Sequence, residues 1–418
     1  MLETLKAKEG SRRRPRGGLL LLLGPAFVAA IAYVDPGNVA ANLTSGASFG
    51  YLLVWVLVAA NIMAMLVQYQ SAKLGVVTGK SLPEHLGERL TTRSRRLFWV
   101  QAELVAMATD VAEVVGGAIA LKLLFHVPLP VGGLIVGVAS MALLTVQNRR
   151  GQKPFESVIM FLLVIITIGF LAGLVMSPPD TAGVVNGLIP RFQGTESVLL
   201  AAGMLGATVM PHAIYLHSQL AKDRHTDARS TPARLRHIIK ATRVDVVLAL
   251  ILAGAVNIGM LLLAASTLNG VSGTDSIEGA HAAIVNTLGP VIGVVFAVGL
   301  LASGLASTSV GAYAGATIMN GLLKVRVPLQ ARRVVSLIPA IVLLSVGISP
   351  TWALIVSQVV LSFGIPFALI PLLRLTANKA LMGEHRDGLP LRMAAFTSVV
   401  LIVALNALLL WLTLSGQG

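Results

Sequence analysis

Two short strings place ion-holding side chains beside a helix-breaking proline, each inside otherwise apolar sequence: Asp35-Pro36-Gly37-Asn38 and Met210-Pro211-His212. Proline has no backbone N–H and disfavours helix at the preceding residue, while Gly37 accepts almost any backbone angle. Each string therefore predicts a short unwound stretch. At the first, carbonyls around Ala32–Tyr33 join the Asp35 carboxylate and the Asn38 amide oxygen, all hard donors suited to a divalent cation. The competing reading is a proline kink whose aspartate is satisfied by a neighbouring helix. At the second, Met210 offers a thioether. A lone methionine in an apolar helix is normally packing; beside a break that faces another break it reads as a ligand. Sulfur tolerates Mn²⁺ or Fe²⁺ and offers almost nothing to Ca²⁺ or Mg²⁺. His212 either ligates or carries a proton, its unperturbed pKa lying near ~6.5. His217, five residues on, lies off that helical face.

Three acids, Glu103, Asp110 and Glu113, share one stripe of a third apolar segment, at spacings of seven and three. A buried acid at membrane depth costs about 3 kcal/mol or more, so the stripe must face protein. It reads as a proton wire or as an ion-pair network with Arg332 or Arg333, and the two are compatible. Gln358 is the lone amide of a later apolar run, equally a ligand or a packed polar group, with Pro366 marking a bend.

The elements that carry these residues are membrane spans. The 418-residue chain is 55% hydrophobic and 12% charged, with mean hydropathy +0.82, outside the soluble globular range. Apolar stretches recur at 18–43, 50–77, 98–124, 130–147, 156–177, 196–221, 244–267, 284–321, 333–349, 351–373 and 393–415. Most reach the ~20 residues a spanning helix needs, which predicts an all-α integral membrane protein of eleven transmembrane helices. The long 284–321 stretch is expected to continue as helix beyond one span. With Lys73 assigned to the connection after the second span, every Lys and Arg except Lys122 and Arg191 falls on one side. That bias predicts a cytoplasmic N-terminus and an external C-terminus. The formal charge of +14 is thereby explained by topology and anionic lipid rather than by nucleic acid. There is no cysteine, which excludes disulfides and thiolate ligation.

Two further strings carry look-alike signatures. Residues 1–32 resemble a leader, with a basic start, the Leu19–Leu23 run and Ala30-Ile31-Ala32 as a small-residue cleavage site, but the apolar run continues past that site. Gly75-Val76-Val77-Thr78-Gly79-Lys80-Ser81 resembles a phosphate-binding loop, one residue short between its glycines and without a preceding strand.

Taken with the run Gln101-Ala102-Glu103-Leu104-Val105-Ala106-Met107-Ala108-Thr109-Asp110-Val111-Ala112-Glu113, the two strings resemble the Nramp family of divalent-metal transporters over essentially the whole chain. The resemblance implies the LeuT-type fold with a 5+5 inverted repeat: 18–177 as repeat 1, 196–373 as repeat 2, helices 1 and 6 broken at the midplane, and 393–415 as an extra helix 11. Residues 1–17 are then a basic cytoplasmic tail on a single transporter domain, 18–418. It makes Asp35, Asn38 and Met210 metal ligands together with the carbonyls of Ala32 and Ala207, and Gln358 a ligand in some conformations. His212, Glu113, Asp110 and Arg333 resemble the proton-route residues, with Glu103, His217 and Arg332 beside them. The expected function is proton-coupled import of Mn²⁺ or Fe²⁺, also Cd²⁺, across a bacterial inner membrane by alternating access, without an enzymatic activity or a cofactor. Nothing requires a second copy of the chain. The rival classes are a cation channel, which would need a ring of ligands, and a Na⁺-coupled amino-acid transporter, against which a buried Asp35 argues.

Overall fold

The first apolar segment folds as two short helices. α1 (Pro25–Ile31) passes into a 3-10 turn over Ala32–Val34, the chain extends at Asp35 (φ −70°, ψ 165°), and α2 (Pro36–Phe49) starts afresh. Pro36 occupies the first helical position, where no N–H is needed. The Asp35 carboxylate caps the new helix by accepting the Asn38 N–H. There follow α3 (Val54–Thr78), α4 (Leu82–Arg89), α5 (Thr92–Phe125), α6 (Leu129–Arg150), α7 (Gln152–Met176) and the short α8 (Thr181–Gly187).

The same device recurs at the second string. α9 (Gly194–Thr208) stops, Val209 and Met210 leave helical geometry, with Met210 at φ −53° and ψ 120°, and α10 (Pro211–Arg224) restarts at its proline. The chain continues through α11 (Pro232–Thr267), α12 (Ile277–Leu288), α13 (Pro290–Leu323), α14 (Leu329–Val346), α15 (Pro350–Thr376), α16 (Lys379–Met382) and α17 (Leu389–Leu414). This computed structural model describes residues 24–226, 229, 231–274, 276–325 and 327–415, leaving out the side chains of 146–150, 329 and 413. No strand occurs among the described residues. The tail 1–17 and the Leu19–Leu23 run lie outside them.

Packing relates the two halves. α1 lies on α10 and α2 on α9, so the broken helices run antiparallel and their breaks face each other. α3 packs on α10 as α11 packs on α2, and α7 on α13 as α15 on α5. α3 with α11, α5 with α13, and α6 with α14 pair across the halves. Small residues permit the closest approaches: a Cβ on Gly304 would come within 2.9 Å of the Gly117 backbone, where α13 crosses α5.

Among the described residues, eight helices are long and apolar enough to cross a membrane: α3, α5, α7, α9 with α10, α11, α13, α15 and α17. Pro25–Val34 and Leu129–Thr145 are apolar but shorter. The outward face of α7 exposes Phe161, Val164 and Ile168, as a lipid-facing helix should.

Several boundaries differ from expectation. The 284–321 stretch is two helices, because Gly289 at φ 93° ends α12 before Pro290 opens α13. α11 begins twelve residues before the apolar window, carrying Arg234, Arg236, Lys240 and Arg243 into helix. Lys73 is a buried residue of α3 rather than part of a connection, and Arg332 and Arg333 are buried in α14. Charge counting could not separate them from loop cations, since buried partners 200 or more residues away are invisible locally: Arg333 meets Asp110 at a separation of 223. α15 runs unbroken through Pro366 and Pro371. The phosphate-loop look-alike is a helix end: Gly79 at φ 67° closes α3, and the Ser81 N–H donates to Glu84 at 2.7 Å to open α4. Ala30–Ala32 is buried within the bundle.

Candidate metal site

Asp35, Asn38, Ala207, Met210 and Gln358 are all buried at the paired breaks. One Asp35 oxygen accepts the Asn38 backbone N–H and the Asn38 side-chain amide, each at 2.8 Å. That amide also donates to the Ala207 carbonyl at 2.9 Å, so it bridges the first break to the second. Gln358, from α15, donates to the other Asp35 oxygen at 3.4 Å. It lies directly over Gly37, where any Cβ would overlap its side chain. Glycine there serves close approach as well as backbone freedom.

Donors converge on Asp35, while acceptors are left over. Asn38 Oδ1, Gln358 Oε1 and Thr208 Oγ1 are buried without a hydrogen-bond partner. Buried acceptors in this state normally find a donor or a cation. Met210 supplies a thioether at the N-terminus of α10. The set comprises one carboxylate, amide and carbonyl oxygens, and one sulfur. No group of three or more His, Cys, Asp or Glu able to hold a metal occurs among the described residues, so any cation here relies on neutral ligands for most of its shell. The Ala32 carbonyl belongs to the 3-10 turn of the same break.

The acidic stripe is an ion-pair ladder with one member left free. Arg332 donates to Glu103 at 2.7 Å, and Arg333 to Asp110 at 3.1 Å. Arg333 is fully buried and also donates to Ser140 and Thr308. Glu113 has neither oxygen hydrogen-bonded and its carboxylate packs against Gly311 of α13. His212 reaches the stripe through Thr109, its Nδ1 lying 3.3 Å from the hydroxyl, with Nε2 unpartnered. His217 is not brought to the acids. Its Nδ1 lies 2.7 Å from Gln68 Oε1, and Gln68 donates to the Tyr33 hydroxyl at 2.5 Å.

Several residues here were missed from sequence. Asn257 donates to the Tyr33 carbonyl at 2.6 Å and accepts from Asn42 at 2.9 Å; Ser303 donates to the Val34 carbonyl at 2.5 Å. They occupy two of the carbonyls that the break frees. Asp245 caps α1 by accepting the Gly24 and Ala26 N–H groups at 3.1 and 3.0 Å. The usable signal was a single Asp or Asn inside an apolar run.

Residues 26–412 match the family model described as Nramp, natural resistance-associated macrophage protein-like. The divalent metal cation transporter MntH of Mycobacterium tuberculosis is 59% identical over 395 residues, covering 94% of this chain and 92% of that protein. The crystal structure of the Eremococcus coleocola manganese transporter superposes with a TM-score of 0.84 at 31% identity, covering 96% of this chain and 87% of that one. Mhp1, a nucleobase-cation-symport-1 transporter, is 14% identical with a TM-score of 0.56, covering 94% and 93%; it shows the LeuT-like fold alone.

Proposed function

The chain belongs to the Nramp family, and on that premise we propose that it is a transporter importing divalent transition-metal ions, Mn²⁺ or Fe²⁺, together with protons. The metal is cargo rather than cofactor. The observation that carries the reading is the set of unpartnered acceptors on Asn38, Gln358 and Thr208 gathered around Asp35 at two facing helix breaks. A cation that takes Asp35 would release the Asn38 and Gln358 amides from it, and a turn of either amide offers its free oxygen to the ion. Met210 and the carbonyls of Ala32 and Ala207 complete the proposed shell. The thioether penalises Ca²⁺ and Mg²⁺ by replacing an oxygen that those ions need.

Binding requires the Asp35 carboxylate to be ionised. A proton leaving it has His212 and the free Glu113 as the next acceptors, and beyond them the Asp110–Arg333 and Glu103–Arg332 pairs leading along α5. His217 stands on a separate branch through Gln68 and Tyr33. Antiparallel broken helices with matched packing in each half support a 5+5 repeat and alternating access, and in this proposal the chain lies in a bacterial inner membrane as eleven spans, with the charge bias favouring a cytoplasmic N-terminus. An inside-negative potential contributes ~2.3 kcal/mol per charge per 100 mV, so a divalent ion is already drawn inward and the proton is not thermodynamically required.

Proteoliposomes loaded with a pH dye test the coupling. Mn²⁺ uptake is expected to acidify the lumen, and uptake without acidification would leave metal transport standing and remove the proton.

A further inference from the structure

Away from the metal route, two helix stripes end in positive charge, and among the described residues only the first meets an acid. On α3, Ile62, Leu66, Tyr69 and Lys73 recur at helical spacing, and on α11 Ile239, Arg243 and Val247 do the same. With the turn before α17 they wall a lateral groove of about 560 Å³. Its acid is already used: Asp387 pairs with the buried Lys73 and takes the Gln70 amide at 2.7 Å. Lys73 also lies 5.3 Å from the centre of the Tyr69 ring. Arg243 and Arg386 are exposed and have no hydrogen bond or ion pair among the described residues, and His385 lines the groove beside them.

The outward face of α11 changes character at Arg243. Before it stand the exposed Arg236 and Lys240; after it come the exposed Val244, Val247, Leu248 and Ile251. A cationic turn that gives way to an apolar face marks the level where headgroups meet acyl chains. On the other walls, Ile62 and Leu391 extend the apolar end of the groove. An occupant must therefore be an anion at one end and a hydrocarbon at the other.

We propose that this groove binds an anionic phospholipid, its phosphate held between Arg243 and Arg386 and an acyl chain lying along Ile62, Leu66 and Leu391. Basic pockets between spanning helices hold headgroups in this manner. The site rests on the chain lying in a bilayer and is independent of whether it moves metal. Its position is nonetheless consequential, because its walls α3 and α11 are the helices packed on α10 and α2 of the two breaks.

Native mass spectrometry of the full chain in neutral detergent tests it, with dioleoylphosphatidylglycerol and dioleoylphosphatidylcholine as competing probes. Wild type is expected to retain phosphatidylglycerol selectively. Arg243→Gln with Arg386→Gln should erase the selectivity, by about five-fold for each guanidinium removed, whereas the paired lysine replacements should keep most of it. Lys122→Gln, at the other end of the bundle, should change nothing. Equal retention of the two lipids by wild type, or undiminished selectivity in the double glutamine variant, would overturn the site. Displacement of phosphatidylglycerol by inorganic phosphate would overturn it too, by making the groove a small-anion site. An unchanged apparent Tm certifies the variants; if the double variant unfolds, the exposed Arg386→Gln alone carries the comparison. Lipid retention is read without metal, so loss of transport leaves it measurable.

Discussion

Met210 is the residue on which the proposed selectivity turns. It is fully buried, follows Val209 out of α9, and stands before the proline that opens α10. Met210→Ala removes the sulfur while leaving Asp35, Asn38 and the carbonyls in place. Calorimetry is expected to show weaker Cd²⁺ binding and Ca²⁺ or Mg²⁺ becoming competitive, with a loss of about ten-fold or more for the soft ion, the scale of a ~1.4 kcal/mol change. Unaltered metal preference would remove the thioether from the mechanism. The helix breaks at Asp35 and Met210 were legible in sequence because each sits next to a proline, whose local physics needs no partner to be understood. Asn257, Asp245 and Gln68 were not. Each is a single polar residue in an apolar helix, and its meaning lies in a distant partner: Asn257 acts on Tyr33 across a separation of 224 residues. Lys73 was misplaced for the same reason, since only Asp387, 314 residues on, makes a buried lysine tolerable.

At the scale of elements, two short helices depend on side chains from elsewhere in the bundle. α1 is a seven-residue helix, too short to persist without tertiary contacts, and Asp245 on α11 holds its first N–H groups. Asp245→Ala leaves two buried N–H groups uncapped, a loss of about 1 kcal/mol on the scale of helix caps. A cysteine reporter replacing the buried Val28 of α1 should then react with a thiol reagent about five-fold faster than in the Asp245 background; an unchanged rate would show that α1 is held by packing alone. α4 is outside the spans and docks at the helix ends, its Leu82 N–H donating to Ser218 at 2.9 Å. Burial, with Arg89 adding repulsion, pushes His85 down to about 4, and its Nε2 lies 2.9 Å from the Thr78 hydroxyl. The unfolded chain, with a histidine near ~6.5, binds the proton first. Stability contributed by neutral His85 is therefore intact above about pH 6.5 and lost progressively on acidification towards about pH 4. The apparent Tm should fall across that window, and His85→Gln should flatten the fall; an identical slope in the variant would assign the acid sensitivity to other groups.

For the whole molecule, the apolar segments located most of the helices, and the charge bias proposed an alternation of sides, but neither could reveal how the halves pack. The facing of the two breaks depends on α1 meeting α10 and α2 meeting α9, a relation between segments with no local signature. Orientation is the remaining global property, and the proposed one rests on one asymmetry. Lys122 lies 3.4 Å from Glu278 at the start of α12, and the proposed topology puts this end of the bundle outside, with Arg191, and the Lys- and Arg-rich end inside. Because the chain contains no cysteine, single cysteines report the side directly. With a membrane-impermeant maleimide on intact cells, Thr181→Cys in α8 and Ser415→Cys after α17 should label at once. Thr92→Cys, at the first turn of α5, should label only after permeabilisation. All three positions are exposed, so accessibility to the reagent depends on the side of the membrane rather than on burial. Labelling of Thr92→Cys in intact cells would invert the bundle. It would also place the Glu103 end of the proposed proton route outside, reversing the direction in which Asp35 would load and release its metal.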